Sequence, residues 1–285
     1  MRNITLKKNN RVKVGLALSG GGARGFAHLG AIKAFEEYGI KFDMVSGTSA
    51  GSLVGAFYAA GLKFDDMLNI ARKFDEKDIR TSKFVFVPSK TEGIEKIITD
   101  NLGDIDIKDL KIPFTATAVD LKTTEEICFT KGNLAKTVAA SCCVPAVFAP
   151  VEYKNYNLCD GGLRNTMPAD IPKIFGCDYV VAVDVNKSRL YGTESTKVLD
   201  VISCSIRILM EANVAKGYQF GDVVLKPETK RFSASRAEGF MDMIEEGYRE
   251  AINNMPEILA LFNKKPLSYL ARQKLEKRLE KPVIE

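Results

Sequence analysis

Two glycine-rich turns near the start of the chain carry the residues whose types and spacing could do chemistry. Gly47-Thr48-Ser49-Ala50-Gly51 follows a short apolar run from Phe42 to Ser46. A G-x-S-x-G turn between a strand and a helix is a nucleophile elbow, whose glycines let the backbone bend sharply enough to lift the serine hydroxyl clear of the sheet. Ser49 is therefore the candidate nucleophile. Gly20-Gly21-Gly22-Ala23-Arg24-Gly25 follows the apolar run from Val12 to Leu18. Successive amides of such a loop can converge on one concavity, which suits the oxyanion of a tetrahedral acyl intermediate. The amides of Gly21, Gly22 and Ala23 are the candidates, and Arg24 would either steady the loop or meet a phosphate on the substrate.

A serine of this kind is usually served by a histidine base, yet the chain has one histidine, His28, three residues past the first glycine turn. His28 reads as a packed residue bracing the loop, so the base has to be sought among carboxylates. Asp160 leads, because Asp160-Gly161-Gly162 places it on a tight turn after a strand, where the backbone can approach another loop. Asp120 and Asp184, each at a strand end, are the other candidates.

The first glycine turn also matches the G-x-G-x-x-G dinucleotide fingerprint, with Gly20, Gly22 and Gly25 in the glycine places. That fingerprint asks for an acidic residue at the far end of the second strand. Asp43 has the right separation but stands at the beginning of that strand, and its end is taken by the serine turn. A dinucleotide- or acyl-carrier-binding protein whose loop only binds is the alternative reading.

The elements that must position these residues alternate between strand and helix from Val12 to about Val185, which argues for an α/β fold with a mainly parallel sheet. Helices are expected over Phe26 to Tyr38, with Gly39 as the stop, and over Ala50 to Ala60, whose free amides would point toward Ser49. Further helical pieces lie around Asp65 to Phe74, Gly93 to Leu102 and Leu134 to Ser141. The apolar patch Phe84 to Pro88 reads as a strand or a pocket wall. Strands are expected at Phe114 to Val119, Glu126 to Thr130, Tyr153 to Leu158 and Tyr179 to Val185. Beyond Asn186 the chain reads as helices over Lys197 to Lys216, Met241 to Asn254 and Leu267 to Glu280, with a last strand at Asp222 to Leu225. The expected organisation is a catalytic core over 12–186 and a mainly helical region over 187–285 packed on it.

With 285 residues, 46% of them hydrophobic, the chain can bury a substantial core without disulfides or metal, and no two of its six cysteines have C-x-x-C spacing. Neither cofactor nor metal is expected. A net charge of +5 allows weak attraction to anionic lipid but is far from a nucleic-acid signature. No window approaches the ~18 apolar residues of a spanning helix, and Val14 to Leu18 is too short for a signal-peptide core, so a cytoplasmic protein is expected. The stripe of Leu267, Leu270, Ala271, Leu275 and Leu279, surrounded by basic residues, reads as a surface helix packed on the core. Peripheral contact with the inner membrane face and contact with a second copy of the chain remain its open alternatives.

Together these residues resemble the patatin-like phospholipases, acyl hydrolases with a serine–aspartate dyad. Gly20 to Gly25 is similar to their G-G-G-x-R/K-G oxyanion motif, Gly47 to Gly51 to their G-x-S-x-G elbow, and Asp160 to Gly162 to their D-G-A/G motif. Ala140-Ser141 through Pro145 and Phe148 resembles the A-S-x-x-x-P-x-x-F block ahead of the aspartate. The likeness covers roughly residues 12 to 186. It implies a three-layer α/β/α acyl-hydrolase fold with Ser49 as nucleophile, Asp160 as base and an oxyanion hole over Gly20, Gly21, Gly22, Ala23 and Arg24. It further implies a lipid or other acyl ester as substrate, phospholipid or lysophospholipid among them, and an acyl-serine intermediate. An aspartate of ordinary pKa suits alkoxide leaving groups better than amines, so esters rather than amides are expected.

Overall fold

A computed structural model describes residues 11–73, 90–186, 196–234 and 236–285. The patch at Phe84 to Pro88 lies outside them. The strands are β1 (Val14–Leu18), β2 (Met44–Thr48), β3 (Phe114–Asp120), β4 (Glu126–Phe129), β5 (Val151–Tyr153), β6 (Tyr156–Asp160), β7 (Tyr179–Val183), β8 (Val223–Leu225) and β9 (Val283–Ile284). The α-helices are α1 (Phe26–Glu37), α2 (Ala50–Ala60), α3 (Phe64–Arg72), α4 (Glu92–Leu102), α5 (Leu134–Ser141), α6 (Asp170–Ile174), α7 (Val198–Ala212), α8 (Val214–Tyr218), α9 (Phe240–Asn253), α10 (Met255–Phe262) and α11 (Tyr269–Glu276).

One sheet joins hydrogen-bonded neighbours along the path β5-β6-β3-β2-β1-β7-β8, with β4 on β3 and β9 on β4. Its centre, from β3 to β8, is parallel. β4, β5 and β6 add the antiparallel part. The two-residue alternation of the central strands fixes the layers. In β1, Val14, Leu16 and Leu18 enter the main core with Ile32 and Phe35 of α1, Val54 and Phe57 of α2 and Ile244 of α9. Ala17 points the other way, onto Met167, Val214 and Phe220. β7 splits likewise, Val181 and Val183 to one side and Val180 and Ala182 to the other. Helices on both faces of a mixed, mainly parallel sheet make the three-layer α/β/α architecture.

The register places the two reactive motifs. On β3, Thr117 pairs with Thr48 and with Cys128, and Ala118 pairs with Asp160 and with Ile127. A strand residue has two edges, and β4 occupies the same one at both positions. Thr48 and Asp160 therefore follow each other along the opposite edge, and β2 and β6 run toward each other end to end. Chain positions 49 and 160 meet because β3 serves as the template for both strands.

Several elements differ from the sequence expectation. The stretch read as one strand from Tyr153 is a hairpin, β5 turning into β6 through Lys154 at φ 52°. The helix expected over 197–216 breaks into α7 and α8, and α10 was not expected at all. The last strand expected at Asp222 to Leu225 is present as β8, and the unexpected β9 also joins the central sheet. Among the described residues no helix is long and apolar enough to cross a membrane.

Candidate active site

Ser49 lies between β2 and α2 with φ 52° and ψ −126°, a conformation that costs a non-glycine residue about 1–3 kcal/mol and persists only where the surroundings impose it. They do so here. The Ser141 hydroxyl accepts the Ser49 amide at 2.9 Å, and the Ser49 carbonyl accepts the Ser52 hydroxyl at 2.7 Å. Gly47 and Gly51 make the bend sterically feasible: a side chain on Gly51 would run into the carbonyls of Leu18 and Ser19, and one on Gly47 would meet the Gly51 backbone. The serine itself is 6% exposed and lines a cavity.

Asp160 ends β6 fully buried, with Oδ1 accepting the Gly162 amide at 2.8 Å. Its Oδ2 is buried and has no hydrogen bond among the described residues. Burial pushes the carboxyl up to about 7, against the lowering influence of the Gly162 amide and of the neighbouring Ser49 hydroxyl. The Ser49 hydroxyl thus neighbours a carboxylate oxygen that has no hydrogen bond among the described residues. The other two carboxylates are occupied. Asp120 accepts the Asn157 amide at 2.9 Å and the Thr123 hydroxyl at 2.9 Å, closing a turn. Asp184 accepts the Tyr218 hydroxyl at 2.7 Å and the Asn186 amide at 2.9 Å.

The glycine loop is tied to both motifs. The Gly20 amide donates to the Thr166 carbonyl at 2.9 Å, and the loop's Gly20 packs against Ser49. Gly22 has φ 58°, and a side chain there would strike the Ala234 carbonyl. That same carbonyl accepts the Ala23 amide at 2.8 Å. The amides of Gly20 and Ala23 are in use, against the expectation that the Ala23 amide serves an oxyanion, whereas those of Gly21 and Gly22 have no hydrogen bond among the described residues. Arg24 is 3% exposed and its Nε donates to the Phe232 carbonyl at 3.0 Å, which fastens the loop to the segment before α9.

His28 does not stand between Ser49 and Asp160. It is fully buried, and its Nε2 donates to the Ser19 carbonyl at 2.8 Å, fixing the backbone just before the glycine loop. Burial pulls its pKa down to about 4, more than that hydrogen bond raises it. The ring is neutral at pH 7, with the proton on Nε2 and a buried, unpartnered Nδ1. Because the folded pKa lies below the ordinary 6.5, the stability it carries is complete above pH 6.5 and is lost as the pH falls toward 4. Of order 3 kcal/mol is at stake, from ~1.4 kcal/mol per pKa unit. Denaturant unfolding of His28→Gln should lack this acid-side loss, and an unchanged slope between pH 6.5 and 4 would contradict it.

The cavity above Ser49 has a volume of about 750 Å³. One part is apolar, walled by Leu53 and Phe57 of α2, Met67 and Ile70 of α3, and Ile94 and Ile97 of α4. Arg207, Glu211 and Arg231 are charged residues in the same lining. Burial, together with repulsion from Asp184, raises the Glu211 carboxyl, and the Arg24 charge partly offsets this. These residues of the tail, with Ala234 and Phe232, complete the site, and no motif marks them in the sequence. Ser141, by contrast, stands inside the Ala-Ser block already noticed there.

The family model described as patatin-like phospholipase matches residues 16–173. The chain belongs to that family. Among curated proteins it is 33% identical over 193 residues to an uncharacterised NTE family protein of Mycobacterium bovis, covering 65% of this chain and 52% of the relative. It is 34% identical to the neuropathy target esterase sws of Drosophila melanogaster over 60% of this chain and 13% of that protein. It is also 34% identical to the lysophospholipase nte1 of Aspergillus fumigatus, over 63% of this chain and 12% of that protein. The patatin-like chain thus spans about half the length of the mycobacterial relative and a small part of the other two. In fold it is similar to VipD from Legionella pneumophila, with a TM-score of 0.58 at 15% identity over 89% of this chain and 67% of that one. It is also similar to human GIVD cytosolic phospholipase A2, with a TM-score of 0.50 at 12% identity over 95% and 60%.

The dinucleotide alternative lacks its acidic partner at the site. Asp43 accepts the Val14 amide at 2.9 Å, and both residues stand where their strands begin, away from the glycine loop. The stripe expected on the tail helix is partly spent: Leu275 and Leu279 pack against the second core, and Arg272 pairs with Asp178.

Proposed function

We propose that this patatin-like protein is a lipid acyl hydrolase that works through Ser49 and Asp160. The observation that carries the proposal is the unpartnered Oδ2 of a fully buried aspartate beside a serine held in a strained elbow, at the floor of a largely apolar cavity. Ser49 Oγ attacks the acyl carbonyl while Asp160 Oδ2 takes its proton, and the amides of Gly21 and Gly22 stabilise the oxyanion. Collapse of the intermediate expels the alcohol, which receives the proton from Asp160, and leaves an acyl-serine. Asp160 then takes a proton from water as the water attacks that ester and passes it to the departing Ser49 Oγ, releasing the fatty acid and restoring both side chains.

A carboxyl pushed up to about 7 is a stronger base than the ordinary aspartate expected from sequence, which lessens the energetic gap to the serine hydroxyl. Leu53, Phe57, Ile94 and their neighbours suit an acyl chain, and Arg207, which has no ion pair among the described residues, suits a phosphate-bearing head group. Phospholipids and lysophospholipids are therefore the proposed substrates. The names of the relatives, a lysophospholipase and an esterase, point the same way. A long-chain alkyl fluorophosphonate is the direct test. Mass spectrometry is expected to find one adduct, on Ser49; an adduct elsewhere, or hydrolysis that continues with Ser49 unmodified, would refute the assignment.

A further inference from the structure

α7 is built inside out. Ser203, Arg207, Met210 and Glu211 line the cavity with one side of the helix. Val198, Val201, Ile202, Ile208 and Leu209, three, four or seven residues apart, fall along the other side. Those five side chains face solvent, with exposures of 71, 45, 42, 55 and 60%. An ordinary surface helix buries its apolar stripe and shows its polar one, so an apolar stripe turned outward marks a surface made for a partner.

We propose that this outer face of α7 seats the protein on a phospholipid surface carrying anionic head groups. The proposal rests on the hydrolase reading only in taking the occupant of the cavity to be an acyl lipid. α7 is one wall between that cavity and solvent, so a surface docked on it lies beside the cavity. Charge agrees with the choice of partner. The chain carries +5, and Arg207 lines the cavity from α7 itself, while Arg231 is paired with Glu246 and Asp242. Arg207 is exposed and makes no hydrogen bond or ion pair among the described residues. A fifteen-residue helix is too short to span a bilayer, and its apolar side is a single stripe. That form fits a helix lying in the interfacial plane, its apolar side in the acyl boundary.

The chain contains no tryptophan, so a single introduced tryptophan reports without background. In a Ser49→Ala background, where hydrolysis plays no part, Leu209→Trp is titrated with mixed phosphatidylcholine and phosphatidylglycerol vesicles. Its emission is expected to move to the blue and to be quenched by brominated lipid. Tyr269→Trp, on the exposed side of α11, is expected to show neither. Val201→Asp with Leu209→Asp should keep the thermal midpoint and weaken vesicle co-sedimentation by roughly tenfold or more, since each replaces an apolar side chain that would leave water. Vesicles without effect on Leu209→Trp would overturn the proposal. So would equal responses at positions 209 and 269, or a lipid-free dimer in light scattering that the double aspartate variant dissolves. Each of these outcomes leaves the fluorophosphonate result on Ser49 untouched.

Discussion

Ser49→Ala is expected to lower kcat/KM for a p-nitrophenyl acyl ester by about 10⁴-fold or more, the scale seen when a serine nucleophile is removed from a site that acts as a unit. The loss corresponds to at least ~5.5 kcal/mol of transition-state stabilisation. It should not deepen when Asp160→Asn is added, because a base without its nucleophile has nothing to activate. The fold has little reason to change: the 2.9 Å bond from the amide of residue 49 to the Ser141 hydroxyl and the glycine packing beneath the elbow involve no side-chain atom of Ser49. Activity of the variant within tenfold of the parent would place the nucleophile elsewhere.

Asp160→Asn is expected to act in opposite directions on activity and stability. As general base, Asp160 must be ionised, so the parent's kcat/KM should rise with pH through about 7 and fall about tenfold per unit below it. The variant should lose about 10³-fold or more, within the range that general-base catalysis and its coupling to a nucleophile supply. For stability the sign reverses. Burial raises the folded pKa above the ordinary 3.8, so ionisation is harder in the folded state, and stability is lost as the pH rises from about 4 to about 7. Some three pKa units correspond to a cost of order 4 kcal/mol above that window. The amide introduced by the substitution carries no charge to bury and can still accept the Gly162 N–H through its carbonyl. Thermal unfolding should therefore find the variant more stable than the parent at pH 8 and close to it at pH 4. A variant less stable than the parent at pH 8, or a parent whose activity is flat from pH 5 to 8, would rule out a strained carboxylate as the base. His28 loses stability toward acid as Asp160 gains it, so each effect has to be read as a difference between parent and variant.

Much of the core was legible because its elements follow local rules. The five-residue strand β1 ends at the glycine turn, α1 stops just before Gly39 and α2 before Gly61 at φ 93°, each close to the expected place. The less legible parts depend on long-range partners. Lys154 takes a turn conformation that only the pairing of β5 with β6 requires. β9 is two residues long and exists because β4 offers it an edge. α7 carries an apolar stripe like any amphipathic helix, and periodicity alone cannot say that the stripe faces outward.

The sequence by itself determined the alternation that makes a three-layer α/β/α fold and the three short motifs at residues 20–25, 47–51 and 160–162, since turn glycines and strand ends are set within a few residues. Tertiary structure decided everything that depends on register and burial. β3 brings the ends of β2 and β6 together along one edge. Enclosure raises the pKa of Asp160 and lowers that of His28. The Ala234 carbonyl, from a tail without any motif, takes up the Ala23 amide and leaves Gly21 and Gly22 facing the cavity. Those effects arise from desolvation and from contacts between residues tens to hundreds of positions apart, and neither is written in local spacing.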